Sequence, residues 1–431
     1  MKFQKPKGTM DILPQEAEKW QFVENKAREI FKLYHFGELR TPIFENFEVI
    51  VRSIGENTDI VSKEMYDFYD KGNRHITLRP EGTAALVRSY VENKLFGPEH
   101  PQPFKAFYIG PMFRYERPQA GRLRQFHQIG VEVIGSQSPI TDVETIVMGL
   151  DFFKELGITH LKLVINSLGN KKSRSNYREV LVDYLSKVED QLSQDSKRRL
   201  YTNPLRVLDS KAEEDAKIIE NAPSILDYLD DESRTFFEEV KRLLDSLAVP
   251  YEVDSRMVRG LDYYNDTVFE IMSDAPGFEN VLTTICAGGR YDGLISEFDG
   301  PLEKDSGFGF ALGIERVLIA IEAEGKEIPK TSSLDVYVSC VSKKSEQLAI
   351  KVAQYARHSG LKTELETSYR KLKTQLRAAN RLGAGFVAFV GDEEETANSV
   401  TIKNLATGEE TQVPLEELEQ YFKEIKEIST R

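Results

Sequence analysis

Cysteine is almost absent from this chain, with only Cys286 and Cys340 in 431 residues. Two thiols cannot frame a disulfide-stapled fold, so a reducing, cytoplasmic setting is expected. The histidines are few and scattered, with no HxxH or CxxC spacing, which argues against a structural zinc site. No apolar run approaches the length of a membrane span. The N-terminus has basic residues but no apolar segment of the kind a secretory signal needs. A net charge of −13 argues against a protein that coats nucleic acid with its whole surface, yet leaves room for local basic patches. The length suffices for two or three domains with substantial cores. The expected class is a soluble protein of mixed helix and strand.

Positive signal concentrates between Phe104 and Gly135. Two aromatic-rich apolar runs, Phe104–Phe113 and Phe126–Ile134, flank a polar loop containing Pro118 and Gly121, which predicts two strands joined by a long hairpin loop. That loop carries Arg114, Arg117, Arg122 and Arg124. Like charges this dense repel one another unless an anion sits among them, and the guanidinium fork matches carboxylate and phosphate oxygens. An anion site is expected, with a phosphorylated ligand.

Around this hairpin the chain reads in order. Helical spacing of apolar residues predicts a helix from Glu16 to Tyr34 ended by Gly37, then an extended run Glu38–Phe44 interrupted by Pro42. Short strands at Met65–Tyr69 and His75–Leu78 lead to Arg79-Pro80-Glu81-Gly82-Thr83 and an amphipathic helix. Thr83 suits an N-cap, and Glu81 suits either a structural role or a ligand's ammonium group. Thr141 and Glu144 suggest a capping box. From Asn170 to Ser246 the text is helical and charged, as an insertion or a plain run of packed helices would be. Strands are expected at Tyr251–Val258, Thr267–Ile271, Thr283–Ala287 and Ser306–Leu312. Glycines at 307, 309 and 313 would let a ligand or another backbone lie flat on the last of these. Arg316 falls in the first turn of the next helix, where the helix dipole disfavours a cation unless it reaches a phosphate.

Glu322–Thr331 is the best linker candidate, and a small α/β domain follows it. There Arg370, Lys373, Arg377 and Arg381 recur at i, i+3, i+7 and i+11, with Leu372, Leu376, Ala379 and Leu382 on the opposite side. This stripe is either a solvated face or a nucleic-acid contact.

Phe113-Arg114-Tyr115-Glu116-Arg117-Pro118, continuing through Arg122, Gln125-Phe126-His127-Gln128 and Glu132, resembles motif 2 of class II aminoacyl-tRNA synthetases. Gly307 through Arg316 resembles motif 3, and the Pro42 run resembles the weaker motif 1. Arg259-Gly260-Leu261-Asp262-Tyr263-Tyr264 and Ala287-Gly288-Gly289-Arg290-Tyr291-Asp292 are similar to blocks peculiar to the histidyl members. The resemblance spans essentially the whole chain. It implies an α+β fold: an antiparallel-sheet catalytic domain over residues 1–325 with a helical insertion at about 170–250, and an anticodon-binding α/β domain over 331–431. It also implies a homodimer that takes ATP, Mg²⁺, L-histidine and histidine tRNA, and has no membrane association.

By family position, Arg114 and Arg259 are the catalytic cations. Arg114, Glu116, Arg122, Phe126 and Arg316 would bind ATP. Glu81, Thr83, Gln128, Glu132, Arg259, Tyr263 and Tyr264 would bind histidine, and Arg370, Lys373, Arg377 and Arg381 would meet tRNA. The resemblance singles out no metal ligand, and His127 is expected to be structural. The rival reading is a catalytically inactive, synthetase-like regulatory paralogue in histidine biosynthesis. Such proteins degrade the ATP-binding arginines and lack the anticodon domain, whereas Arg114, Arg259, Arg316 and the C-terminal domain are all present here.

Overall fold

Period-two alternation along the two aromatic runs fixes the sheet on which the first part of the molecule is built. The computed structural model describes residues 3–55, 58–118, 121–278, 281–329 and 334–429. The chain divides into two compact units, Met1–Ile328 and Pro329–Arg431. Lys330 and Thr331 of the expected linker lie outside the described residues.

The first unit opens with α1 (Pro14–Leu33), β1 (Gly37–Glu38), β2 (Phe44–Asn46), α2 (Phe47–Ile54), β3 (Tyr66–Tyr69), β4 (His75–Leu78) and α3 (Thr83–Glu92). The hairpin β5 (Phe104–Phe113) and β6 (Gln125–Ile134), then α4 (Pro139–Glu155) and β7 (Leu161–Ser167), follow. Helices α5 (Lys171–Ser186), α6 (Gln194–Thr202), α7 (Glu213–Glu220) and α8 (Asp231–Ser246) come next. The unit closes with β8 (Glu252–Val253), β9 (Asn265–Ser273), β10 (Thr283–Arg290), β11 (Gly307–Gly313) and α9 (Ile314–Ala323).

Among the described residues the large sheet runs β1-β5-β6-β11-β10-β9-β7-β8. Every pairing from β5 across to β7 is antiparallel, while the short edge strands β1 and β8 join in parallel. One face of β6 presents Ile129, Val131 and Val133, and the same face of β11 presents Phe308, Phe310 and Leu312. These pack on Trp20, Val23 and Phe31 of α1 and on Ile146, Phe152 and Phe153 of α4. Each such side chain, fully buried, contributes roughly 1.5–3 kcal/mol of transfer free energy. Helices α5–α7 enclose a separate core around Tyr177, Leu181, Leu185, Leu200 and Ile219, which also takes in Val258 and Tyr264.

Several local expectations are corrected. Helix α1 is closed by His35, with φ 63°, and the Phe36 N–H donates to Phe31 O at 2.9 Å. This is a Schellman-type end, and Gly37 instead begins β1. The Pro42 run is not one strand. It splits into β1 and β2, and between them the Arg79 guanidinium donates to Thr41 O at 3.0 Å and Pro42 O at 3.3 Å, supplying donors that a ladder would have given. Helix α4 begins at Pro139 behind a Ser138 cap rather than at Thr141, because proline is pre-set for the first helical position. Glu144 pairs with Lys105 at 2.7 Å instead of closing a capping box. The strand expected over Tyr251–Val258 is only β8.

The second unit holds β12 (Val336–Val338), α10 (Glu346–His358), β13 (Thr363–Leu365), α11 (Leu372–Arg381), β14 (Phe386–Phe389), α12 (Asp392–Ala397), β15 (Ser399–Asn404), β16 (Glu410–Pro414) and α13 (Leu418–Ser429). Its sheet order is β13-β12-β14-β15-β16, parallel through β14 and antiparallel beyond it.

Candidate active site

The face of β6 turned away from the core carries Phe126, Gln128, Gly130 and Glu132 at alternate positions, and a cavity of about 920 Å³ opens over it. Glu132 stands opposite Ala106 on β5 and Gly309 on β11, and Gly309 in turn faces Gly289 on β10. A carboxylate is thus inserted into a cross-strand row of the smallest residues. A Cβ on Gly309 would lie 2.0 Å from Glu132 Oε2, and one on Gly307 would lie 1.9 Å from the Tyr291 ring. Gly307 and Gly309 therefore make room for the protein's own side chains, rather than for the ligand or second backbone that their spacing suggested.

Glu132 is buried, with Oε1 accepting from Thr83 Oγ1 at 2.7 Å and Oε2 accepting from the Tyr291 hydroxyl at 2.7 Å. Burial pushes its carboxyl up to about 8 despite both hydrogen bonds. Glu81 lines the same cavity, and its oxygens accept from the N–H groups of Thr83 and Ala84 at 2.6 and 2.8 Å. Glu81 rather than Thr83 therefore satisfies the first turn of α3, which frees the Thr83 hydroxyl for Glu132. Burial also raises the Glu81 carboxyl above its ordinary range. Tyr263 and Tyr264 pack with ring centroids 4.6 Å apart, and Tyr263 meets Tyr291 edge-on at 5.9 Å. Burial drives the Tyr264 phenol up to about 12, so it acts as a hydrogen-bonding group and not as an anion.

The cations come from three separate stretches. Arg114 donates from Nε to Pro80 O at 2.9 Å and lies 5.3 Å from the Phe126 ring centroid. Arg122 is exposed, 3.7 Å from Glu116. Arg316 donates from Nη1 to Thr284 O at 2.8 Å. Burial, then the neighbouring Arg122 charge, depresses the Arg316 guanidinium. Arg259 pairs with Glu270 at 2.5 Å and lies 5.6 Å from the Tyr264 ring centroid. All of these groups line the one cavity. Among the described residues Arg259 Nε and Gln128 Oε1 are buried without hydrogen-bond partners. Such atoms cost free energy until something satisfies them.

Not every candidate belongs here. Arg124 lies 3.7 Å from the Tyr115 ring centroid and donates to Glu116 O, so it shapes the loop instead of facing the cavity. His127 points to the core face, edge-on to Trp20 at 4.8 Å, while its N–H and ring nitrogen meet Glu315. Glu315 thereby continues the β6 ladder where β11 gives way to α9. In the second unit Lys373, Arg377 and Arg381 are exposed on α11. Arg370, however, precedes the helix and is tied to Glu366 at 2.5 Å. The buried face of α11 is Gln375, Ala378 and Ala379, with Leu372 and Leu382 exposed, so the expected leucine face is corrected. Sequence reasoning assigned no role to Tyr108, Glu270, Glu64 or Tyr291. For Glu270 a signal existed: a carboxylate at the centre of the apolar alternate face Val268, Glu270, Met272.

An antiparallel sheet carrying a motif 2 hairpin, a motif 3 strand–helix and arginines converging on one cavity defines a class II aminoacyl-tRNA synthetase. The family model described as Histidyl-tRNA synthetase matches residues 8–317, and the Anticodon binding domain model matches residues 335–425. The chain belongs to the histidyl-tRNA synthetase family. It is 57% identical to the histidine–tRNA ligase of Streptococcus pneumoniae (strain 70585) over 427 residues, 99% of this chain and 98% of that protein. It is similar to the crystal structure of apo S. aureus histidyl-tRNA synthetase, with a TM-score of 0.83 and 43% identity over 98% of this chain and 100% of that one. A Bacillus halodurans structure described as an ATP phosphoribosyltransferase regulatory subunit/histidyl-tRNA synthetase shares the fold at TM-score 0.65 and 21% identity, covering 90% of this chain and 98% of that one.

Proposed function

We propose that this chain is an ATP-dependent histidine–tRNA ligase. A histidine carboxylate oxygen attacks the α-phosphorus of ATP, pyrophosphate leaves, and histidyl-adenylate remains. The 3′-terminal ribose hydroxyl of histidine tRNA then attacks the acyl carbon, and AMP leaves. One observation carries the reading: a buried carboxylate, Glu132, shares a cavity with Arg114, Arg122, Arg259 and Arg316 from distant stretches of the chain.

The first step brings an anion against a polyanion, so fixed positive charge and positioning supply most of the catalysis. Arg114 and Arg259 meet the α-phosphate and the attacking carboxylate, with the unpartnered Arg259 Nε available to an oxygen. Arg122 and Arg316 meet the distal phosphates, Phe126 stacks on adenine, and Glu116 contacts its edge. Glu81 and Thr83 take the α-ammonium, Gln128 the carboxylate, and Glu132 with Tyr264 and Tyr263 the imidazole. A pocket that satisfies both ring nitrogens rejects apolar isosteres, because its buried polar groups would be left unpaired. A Mg²⁺ ion accompanying ATP would offset the charge of the phosphates. Glu64, raised by burial and then by the charge of Glu116, lines the cavity and would be the protein's carboxylate toward that ion.

Lys373, Arg377 and Arg381 form the tRNA-facing stripe of the second unit. Ile43, Phe44, Phe68 and Tyr69, exposed around the small sheet of β2, β3 and β4, support a homodimer through that face. The buried free thiols Cys286 and Cys340 suit a cytoplasmic protein. Histidine-dependent ATP–pyrophosphate exchange tests the activation step on which the reading rests. No exchange with histidine, or equal exchange with threonine or proline, overturns it.

A further inference from the structure

The loop that carries Arg259, Tyr263 and Tyr264 has no regular secondary structure between Val258 and the start of β9. Other segments hold it from outside. The Asp262 N–H donates to Ile54 O at 3.3 Å, and the Asp262 carboxylate fills the space beside Gly55, where a Cβ would meet it at 2.8 Å. From the helical insertion, Asn203 Nδ2 donates to Asp262 Oδ1 at 2.9 Å. Arg174, on α5, donates from Nη1 to Tyr264 O at 2.7 Å and from both Nη1 and Nη2 to Asp262 O at 3.3 and 3.4 Å.

We infer that Arg174 is a positioning residue for the histidine side of the site, clamping the loop of Tyr263 and Tyr264 to the insertion. A planar fork that reaches two carbonyls bracketing Tyr263 fixes the peptide path between them. Tyr264 packs into the insertion's own core beside Val258 and Val268, and Arg259 lies 5.6 Å from its ring centroid. A shift of this loop therefore displaces the imidazole-facing phenols first and the cation second. The helical insertion is thus part of the amino-acid pocket.

The inference rests on the histidine reading of the cavity, and the test separates the two. Arg174→Ala, Arg174→Lys and Asn203→Ala are made in the full chain, and KM for histidine and for ATP are measured by pyrophosphate exchange. Losing hydrogen bonds from a charged donor raises the histidine KM about tenfold or more in Arg174→Ala, while the ATP KM stays within about twofold. Arg174→Lys keeps the charge but loses the Nη2 donor and the planar fork, so it shows a smaller split in the same direction. Asn203→Ala shows a smaller one still. The rise in melting temperature on adding histidine shrinks in the same order. If Arg174→Ala does not fold, the other two variants decide the matter. Folded variants with an unchanged histidine KM, or with both KM values raised together, overturn the inference and leave the residue merely structural. A wild-type chain without histidine-dependent exchange overturns the histidine reading itself, and this inference with it.

Discussion

Gly309 and Glu132 face each other across the β6–β11 ladder, and the Cβ that Gly309 lacks would sit 2.0 Å from the Glu132 carboxylate. The same Cβ would lie 2.3 Å from Val131 O, so neither side chain nor backbone can yield without breaking the ladder. Gly309→Ala is therefore expected to abolish histidine-dependent exchange and to destabilise the fold by about 1–3 kcal/mol, the usual cost of overpacking. Thermal melting with exchange kinetics checks this, and a fully active Gly309→Ala would show that Glu132 is not held as described.

Glu132 also predicts a pH dependence. Its folded-state value of about 8 lies above its unfolded value near 4.5. Between the two the folded chain holds a proton that the unfolded chain has released. Stability relative to Glu132→Gln is then fully present below the unfolded value, and it is lost as pH rises toward the folded one. The slope is at most about 1.4 kcal/mol per pH unit. Urea melts of both ligand-free proteins across that range measure it, and a gap independent of pH would contradict the raised carboxyl.

Arg259 is held by Glu270, whose other oxygen accepts from Thr284 Oγ1 at 2.7 Å, while Thr284 O accepts from Arg316. Two cations distant in sequence are thereby braced against one strand residue. Arg259→Lys removes the fork that allows one nitrogen to bind Glu270 and another to bind substrate. A fall of about 100- to 1000-fold in the exchange kcat is expected, equivalent to roughly 3–4 kcal/mol of barrier. Near-normal turnover would remove Arg259 from the chemistry.

On the second unit, replacing Arg377 and Arg381 by Ala should weaken tRNA binding and lower its salt slope by about one to two, with adenylate formation unchanged. Arg370→Ala should instead act through domain stability, because it strands Glu366, which also accepts from the Tyr337 hydroxyl at 2.8 Å. Filter binding across a salt series with melting curves separates the two effects. Unaltered tRNA affinity would make the stripe a solvated face.

The sequence by itself determined the hairpin and its arginine loop, the helical stretch after β7 and the small domain at the end. Period-two and helical spacing are local properties, and the synthetase motifs are contiguous words. It could not determine which faces meet. Thr83 and Tyr291 reach Glu132 from 49 and 159 residues away, and nothing in local periodicity encodes such a meeting. The spacing of Gly309 suggests space for a ligand or another backbone, because a sequence does not show which residue faces it. Arg370 shares the spacing of the basic stripe, yet it lies before α11 and pairs with Glu366 just past β13. Arg174 is one charge among many in the charged helical stretch after Asn170. Only packing in three dimensions decided that its guanidinium turns inward onto the loop of Tyr264, where buried carbonyls need a donor.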